Sequence, residues 1–190
     1  MLHKNIPNIL SIFRILMSPL FILFMIQDDP YYRIGSFFLI VIVSITDFLD
    51  GYYARTFNLI TNLGKYLDPI ADKLFILTVF FTLHFLLPNY IHIWMLVLIV
   101  LRDVFVTVLR SIFHRKNLTF NTSRFAKSKT LIQLISIHCI VLLLILDEFY
   151  LLEVNFMMVY YLMLLCTLLT LISGFNYFHQ YYFLKNNEKV

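Results

Sequence analysis

Six long apolar runs, each broken by a short polar or charged interval, follow one another along the chain at about 8–26, 34–50, 67–87, 91–113, 131–147 and 154–178. A helix that crosses a bilayer needs about 20 mostly apolar residues, with a range of roughly 17–25, and every run meets that length. The pattern predicts an all-α polytopic membrane protein, with six transmembrane helices in one bundle. No internal repeat, linker or shift in composition interrupts the sequence, so residues 1–190 are expected to form a single transmembrane domain. The first run has too long an apolar core, and no small-residue cleavage site, for a secretory signal.

Composition agrees. The chain is 61% hydrophobic and 14% charged, with 20 Phe and 12 Tyr, whereas soluble domains average about 45–50% apolar and about 25% charged residues. That balance excludes a disordered chain, a disulfide scaffold and an ordinary water-soluble globule. Cys139 and Cys166 sit inside apolar runs and read as reduced, buried thiols. A net charge of +4 could indicate nucleic acid, but the placement of the charges points to a membrane surface and to no nucleic-acid partner. Six spans create alternating sides. One side holds both termini and the segments near 51–66 and 114–130, and it carries 13 of the 15 Lys and Arg residues, Arg14 among them. The opposite loops hold Arg33 with Asp28, Asp29, Asp147, Glu148 and Glu153. The positive-inside bias therefore predicts that both termini are cytoplasmic. Trp94 and the tyrosines Tyr150, Tyr177, Tyr181 and Tyr182 read as interfacial anchors.

Five acids remain at or in the membrane: Asp47, Asp50, Asp68, Asp72 and Asp103. An unpaired charge at the bilayer centre costs about 2.5–3.5 kcal/mol on insertion scales, so such residues usually face the bundle interior or a wet cavity. Asp47 and Asp50 are three apart at the cytoplasmic end of the second span. Asp68 and Asp72 are four apart at the start of the third. Each pair shares a helix face, and two helices returning toward one another can bring all four carboxylates to one point. Two divalent cations would balance the four charges. All-oxygen ligands favour Mg²⁺ or Mn²⁺ over Zn²⁺, and paired metals can clamp a phosphoryl group undergoing displacement. Gly51 and Ala54 leave room on that helix face, and Arg55 offers a planar fork for phosphate. The chemistry indicated is phosphoryl transfer at the membrane–cytosol boundary. The alternatives are helix-end acids solvated at the interface and a divalent-cation carrier. The carrier reading leaves Gly51, Ala54 and Arg55 without a role.

These residues form the pattern Asp47-x-x-Asp50-Gly51-x-x-Ala54-Arg55, eight residues, Gly64-x-x-x-Asp68-x-x-x-Asp72. It resembles the signature of the CDP-alcohol phosphatidyltransferase family at every fixed position. The resemblance implies a six-helix membrane enzyme, commonly a homodimer, that binds two divalent cations, Mg²⁺ or Mn²⁺. Carried over by position, Asp47, Asp50, Asp68 and Asp72 are metal ligands, and Asp72 is also the catalytic base. Asn8, Gly51, Ala54, Arg55, Thr61 and Gly64 line the CDP-lipid site. Asn5-Ile6-Pro7-Asn8-Ile9-Leu10-Ser11-x-x-Arg14, Leu109-Arg110 and Lys127-Ser128-Lys129-Thr130-x-x-Gln133 are most similar to the bacterial branch that makes phosphatidylglycerophosphate in the cytoplasmic (inner) membrane.

For that branch the expected reaction is transfer of the phosphatidyl group from CDP-diacylglycerol to sn-glycerol 3-phosphate, releasing CMP on the cytoplasmic face. The anionic acceptor would meet Arg102, Arg110, Lys127 and Lys129. Arg102 fits a second reading equally well, as the neutralising partner of Asp103. Two departures, Arg102-Asp103 and Ala126, lie where the acceptor should bind, and the first resembles CMP-forming cardiolipin synthases, whose acceptor is phosphatidylglycerol.

Overall fold

The computed structural model describes residues 6–56, 64–115 and 124–187. Six helices run in order: α1 (Ile6–Met25), α2 (Pro30–Thr56), α3 (Gly64–Leu86), α4 (Ile93–Arg115), α5 (Arg124–Glu148) and α6 (Met157–Asn187). All regular structure among the described residues is helical. Asn8–Met25, Pro30–Leu49, Lys129–Glu148 and Met157–His179 are each long and apolar enough to cross a membrane. The protein is an integral membrane protein. Cys139 and Cys166 are both free thiols; Cys166 is buried as expected, but Cys139 is only half-buried.

Helix ends differ from the ends of the apolar runs. The sequence pattern closes the second span at residue 50 and places a connecting segment from Gly51, but α2 stays helical through Thr56. It also starts the fifth span at 131, where α5 begins at Arg124, and ends the sixth at 178, where α6 continues to Asn187. Apolarity stops where the chain leaves lipid, while the backbone hydrogen-bond ladder needs no lipid to continue. Pro30 opens α2, where its fixed φ and missing N–H suit the first helical position. At the other end of α5 the chain stops in a Schellman turn. Leu151 N donates to Leu146 O at 3.0 Å and Tyr150 N to Asp147 O at 3.0 Å, with Tyr150 itself at φ 53°.

The chain forms two compact units. The first takes Met1–Leu86 and Ile137–Asn155, hence α1, α2, α3 and the C-terminal half of α5. Here α1 packs against both α2 and α3. Its buried stripe is Ser11, Arg14, Ser18, Phe21 and Met25, at alternating steps of three and four that keep one face turned inward. The opposite stripe is Ile9, Ile12, Leu16 and Leu23, all exposed. A water-soluble helix has the reverse arrangement; lipid removes the drive to bury Leu, and small or hydrogen-bonding side chains mediate helix contact instead. Ser36 Oγ on α2 lies 3.0 Å from Met25 Sδ, and Phe21 meets Phe75 of α3 edge-on with centroids 6.3 Å apart. Arg33 forms an ion pair with Glu148 that ties the start of α2 to the end of α5.

The second unit takes Leu87–Ser136 and Phe156–Val190, hence α4, the N-terminal half of α5, and α6. Helix α6 buries Val159, Met163, Cys166, Thr170, Ser173 and Tyr177 and exposes Leu165, Leu168, Ile172 and Phe175. Its inward stripe again holds the polar side chains. Tyr177 is buried at 2% exposure, which corrects its reading as an interfacial anchor: its ring lies under the Arg102 guanidinium, 5.7 Å away. Gly174 lets α6 approach α4, because a Cβ there would stand 2.8 Å from Arg102 Cγ. A Gly174→Ala variant is therefore expected to displace the Arg102 stem and destabilise the fold by about 1–3 kcal/mol, read as a lower unfolding midpoint in detergent.

Candidate active site

The first unit brings two of the four motif aspartates together. Asp47 projects from the middle of α2 and Asp72 from the third turn of α3, and the Arg14 guanidinium of α1 reaches both. Arg14 Nη1 donates to Asp47 Oδ1 at 2.5 Å and forms a further ion pair with Asp72 Oδ1. Arg14 Nη2 lies 3.4 Å from Ser11 Oγ, one turn back on α1, and Ser18 Oγ donates to the Arg14 carbonyl at 3.1 Å. The side chains differ sharply in exposure: Arg14 is 1% exposed, whereas Asp47 and Asp72 are each 39% exposed. The cation is thus sealed behind the two acids, and the acids face outward.

The opposing charges explain why this cluster is stable inside apolar helices. A lone buried guanidinium would be strongly disfavoured, and so would two adjacent carboxylates; together they offset one another. Asp72 Oδ1 is itself buried beside Arg14, so the exposure of that side chain belongs to its outer edge. Outward carboxylate oxygens from two helices are the donor type that hard divalent cations take.

The remaining motif residues are placed only in part. Asp50, Gly51, Ala54 and Arg55 lie on the final turns of α2, and Gly64 and Asp68 on the first turns of α3. Their side chains lie outside the described part of the structure, as does all of Thr61. Among the described residues no group of three or more His, Cys, Asp or Glu converges. Asn8 is half-buried on α1, one turn before Ser11.

A second charged cluster occupies the other unit. Arg102 Nη1 donates to Asp103 Oδ1 at 3.0 Å, Arg102 Nη2 donates to Ser173 Oγ at 2.7 Å, and Lys129 Nζ pairs with the same Asp103 oxygen. Ser173 Oγ in turn donates to the Thr170 carbonyl at 2.8 Å. One carboxylate thus serves two cations and leaves the cluster with net positive charge. Of the four basic residues expected to meet the acceptor, Arg102 and Lys129 share Asp103. The side chains of Arg110 and Lys127 lie outside the described residues.

In the sequence Arg14 appears as a cytoplasmic-side charge and as the end of the Asn5–Arg14 stretch, with no sign of its carboxylate partners. Ser173 and Gly174 carry no mark there, and Tyr177 reads as an interfacial anchor. A signal existed for Arg14: it falls on the same inward stripe as Ser11 and Ser18, where a charge needs a partner. Nothing in the local sequence marks the α6 residues, because their partner is Arg102 on a distant helix.

Comparison with known proteins bears on what this arrangement serves. The family model for CDP-alcohol phosphatidyltransferase matches residues 4–174 and so runs through both units. The CDP-diacylglycerol–glycerol-3-phosphate 3-phosphatidyltransferase of Rickettsia prowazekii (strain Madrid E) is 39% identical over 142 residues, which cover 74% of this chain and 77% of that protein. The protein of the same name from Bacillus subtilis (strain 168) is 33% identical over 152 residues, covering 73% and 77%. That of Mycoplasma pneumoniae is 32% identical over 153 residues, covering 71% and 66%. The family is generally dependent on divalent cations, in keeping with the oxygen donors on α2 and α3. This chain belongs to the CDP-alcohol phosphatidyltransferase family.

Proposed function

We infer that the chain is a phospholipid-synthesising transferase that moves the phosphatidyl group of CDP-diacylglycerol onto sn-glycerol 3-phosphate, giving phosphatidylglycerophosphate and CMP. Relatives bearing the name of that enzyme match about three quarters of the chain. The structural observation that carries the reading is the convergence of Asp47 and Asp72, from separate helices, on one buried guanidinium while each stays 39% exposed.

In this reading Asp47, Asp50, Asp68 and Asp72 hold two divalent cations, Mg²⁺ or Mn²⁺. When bound, these supply charge neutralisation at the diphosphate and the attacking and leaving oxygens. Asp72 is the general base: its outer oxygen takes the proton of the acceptor hydroxyl, which then attacks the lipid-linked phosphorus as CMP leaves. Asn8, Gly51, Ala54, Arg55, Thr61 and Gly64 receive the CDP part of the lipid. The small residues allow close approach, and the Arg55 fork binds phosphate oxygens. Arg110 and Lys127 bind the phosphate of the acceptor, and Arg102 and Lys129 add the net positive charge of their cluster. The chain acts as one transmembrane domain, as a homodimer, in the bacterial cytoplasmic (inner) membrane with both termini and the active site on the cytoplasmic side. The support for that orientation is the excess of Lys and Arg in the segments assigned to it.

Two other readings fit less well. A divalent-cation carrier would leave Gly51, Ala54 and Arg55 of the motif without a role. A cardiolipin synthase would take phosphatidylglycerol, and the relatives reported above carry a different acceptor in their name.

The acceptor is tested by offering labelled CDP-diacylglycerol with either alcohol to the purified enzyme. Phosphatidylglycerophosphate and CMP are expected only with sn-glycerol 3-phosphate, and a cardiolipin product independent of it would overturn the assignment. Asp72→Asn should lower kcat by about 10²–10⁴-fold while the protein keeps its helical circular dichroism, since Asp47 still faces Arg14; unchanged turnover would remove Asp72 as the base. Arg110→Ala should raise the KM for glycerol 3-phosphate by about tenfold or more, equivalent to losing one charge-assisted hydrogen bond, with the KM for the CDP-lipid little changed.

A further inference from the structure

Arg14 is the most deeply buried charge among the described residues of the first unit, and it pairs with both Asp47 and Asp72. It stands on α1, the helix that packs against both α2 and α3, so a single side chain links three helices at one point. Its surroundings fix it from behind. Ser11 Oγ lies 3.4 Å from Nη2, and the inward stripe of α1 continues through Ser18 and Phe21. The aspartates, by contrast, are more than a third exposed. A guanidinium competing for the outer edges of these acids would itself be exposed; at 1% exposure it lies on their inner side.

From this geometry we propose that Arg14 is a positioning residue: it sets the spacing and aim of Asp47 and Asp72 so that their outer oxygens are presented together to a divalent cation. The inference rests on the reading that these carboxylates ligate a cation, and it adds a residue outside the aspartate motif to that function. Two acids on neighbouring helices repel and swing toward solvent when nothing holds them. A planar guanidinium with several donors in fixed directions can restrain both carboxylates at once. Groups that orient metal ligands in this way typically alter metal affinity by 10–100-fold when removed.

The test is Mn²⁺ binding by the purified full-length chain in detergent, followed by the loss of the free-ion electron paramagnetic resonance signal. Four proteins are compared: wild type, Arg14→Gln, Arg14→Lys and Glu148→Gln. The wild type is expected to bind Mn²⁺, Arg14→Gln to bind about 10–100-fold more weakly, and Arg14→Lys, which retains a buried cation and with it the fold, to fall between them. Glu148→Gln breaks a separate ion pair of the same unit, with Arg33, and so reports general destabilisation; its affinity should match the wild type. Wild-type or tighter Mn²⁺ binding by folded Arg14→Gln overturns the positioning role alone. Should Arg14→Gln fail to fold, wild-type affinity in Arg14→Lys overturns it equally, and so does an equal loss in Glu148→Gln. Absence of Mn²⁺ binding by the wild type overturns the cation reading and the role of Arg14 with it.

Discussion

Charge compensation inside an apolar helical scaffold is the constraint on which this protein depends. A carboxylate placed among membrane helices is strongly disfavoured unless a partner lies within reach, and phosphoryl chemistry on a lipid requires carboxylates at that place. Arg14 resolves the conflict for Asp47 and Asp72. Its side chain is 1% exposed, while the two acids it pairs with are each 39% exposed. The same contact is structural, because α1 is thereby bound to α2 and α3 through charge as well as through Phe21 and Met25.

The second unit meets the same constraint with the signs reversed. There the single acid Asp103 is outnumbered by Arg102 and Lys129, and the excess positive charge is spread over Ser173 and the face of Tyr177. Cation–π contact and hydroxyl acceptors stabilise a guanidinium without neutralising it. The cluster therefore keeps an electrostatic pull on anions that a one-to-one ion pair would have lost. Gly174 is part of the same device, since only a residue without a side chain lets the Arg102 stem lie flat against α6.

Most of the fold could be read from the sequence because lipid imposes one simple rule: a run of about 20 apolar residues must be a helix. Six helices lie over the six apolar runs, and among the described residues four of them, α1, α2, α5 and α6, hold a stretch long and apolar enough to cross a membrane. The helix ends do not match the runs, since α2, α5 and α6 continue into polar sequence where hydropathy carries no information about backbone hydrogen bonding. In the charged cluster of the first unit, Asp47 and Asp72 stand out in the sequence because each belongs to an aspartate pair three or four residues apart, which is a property of one helix at a time. For Arg14 the spacing from Ser11 and Ser18 hints at an inward place, but not at its partner, because Asp47 lies 33 residues away. Tyr177 misled for the opposite reason: aromatic residues near span ends usually sit at headgroup level, and only the position of Arg102 on another helix turns this one inside.

The inverted stripes of α1 and α6 also govern how the chain can vary over evolution. In a soluble protein the interior resists change and the surface drifts among polar residues. Here the outward positions Ile9, Ile12, Leu16 and Leu168 meet fluid acyl chains that impose no shape, so one bulky apolar side chain can replace another there freely. The restricted alphabet falls on Ser11, Ser18, Thr170 and Ser173, whose small size sets how closely the helices approach. On α1 and α6 the most hydrophobic face is therefore the least constrained one.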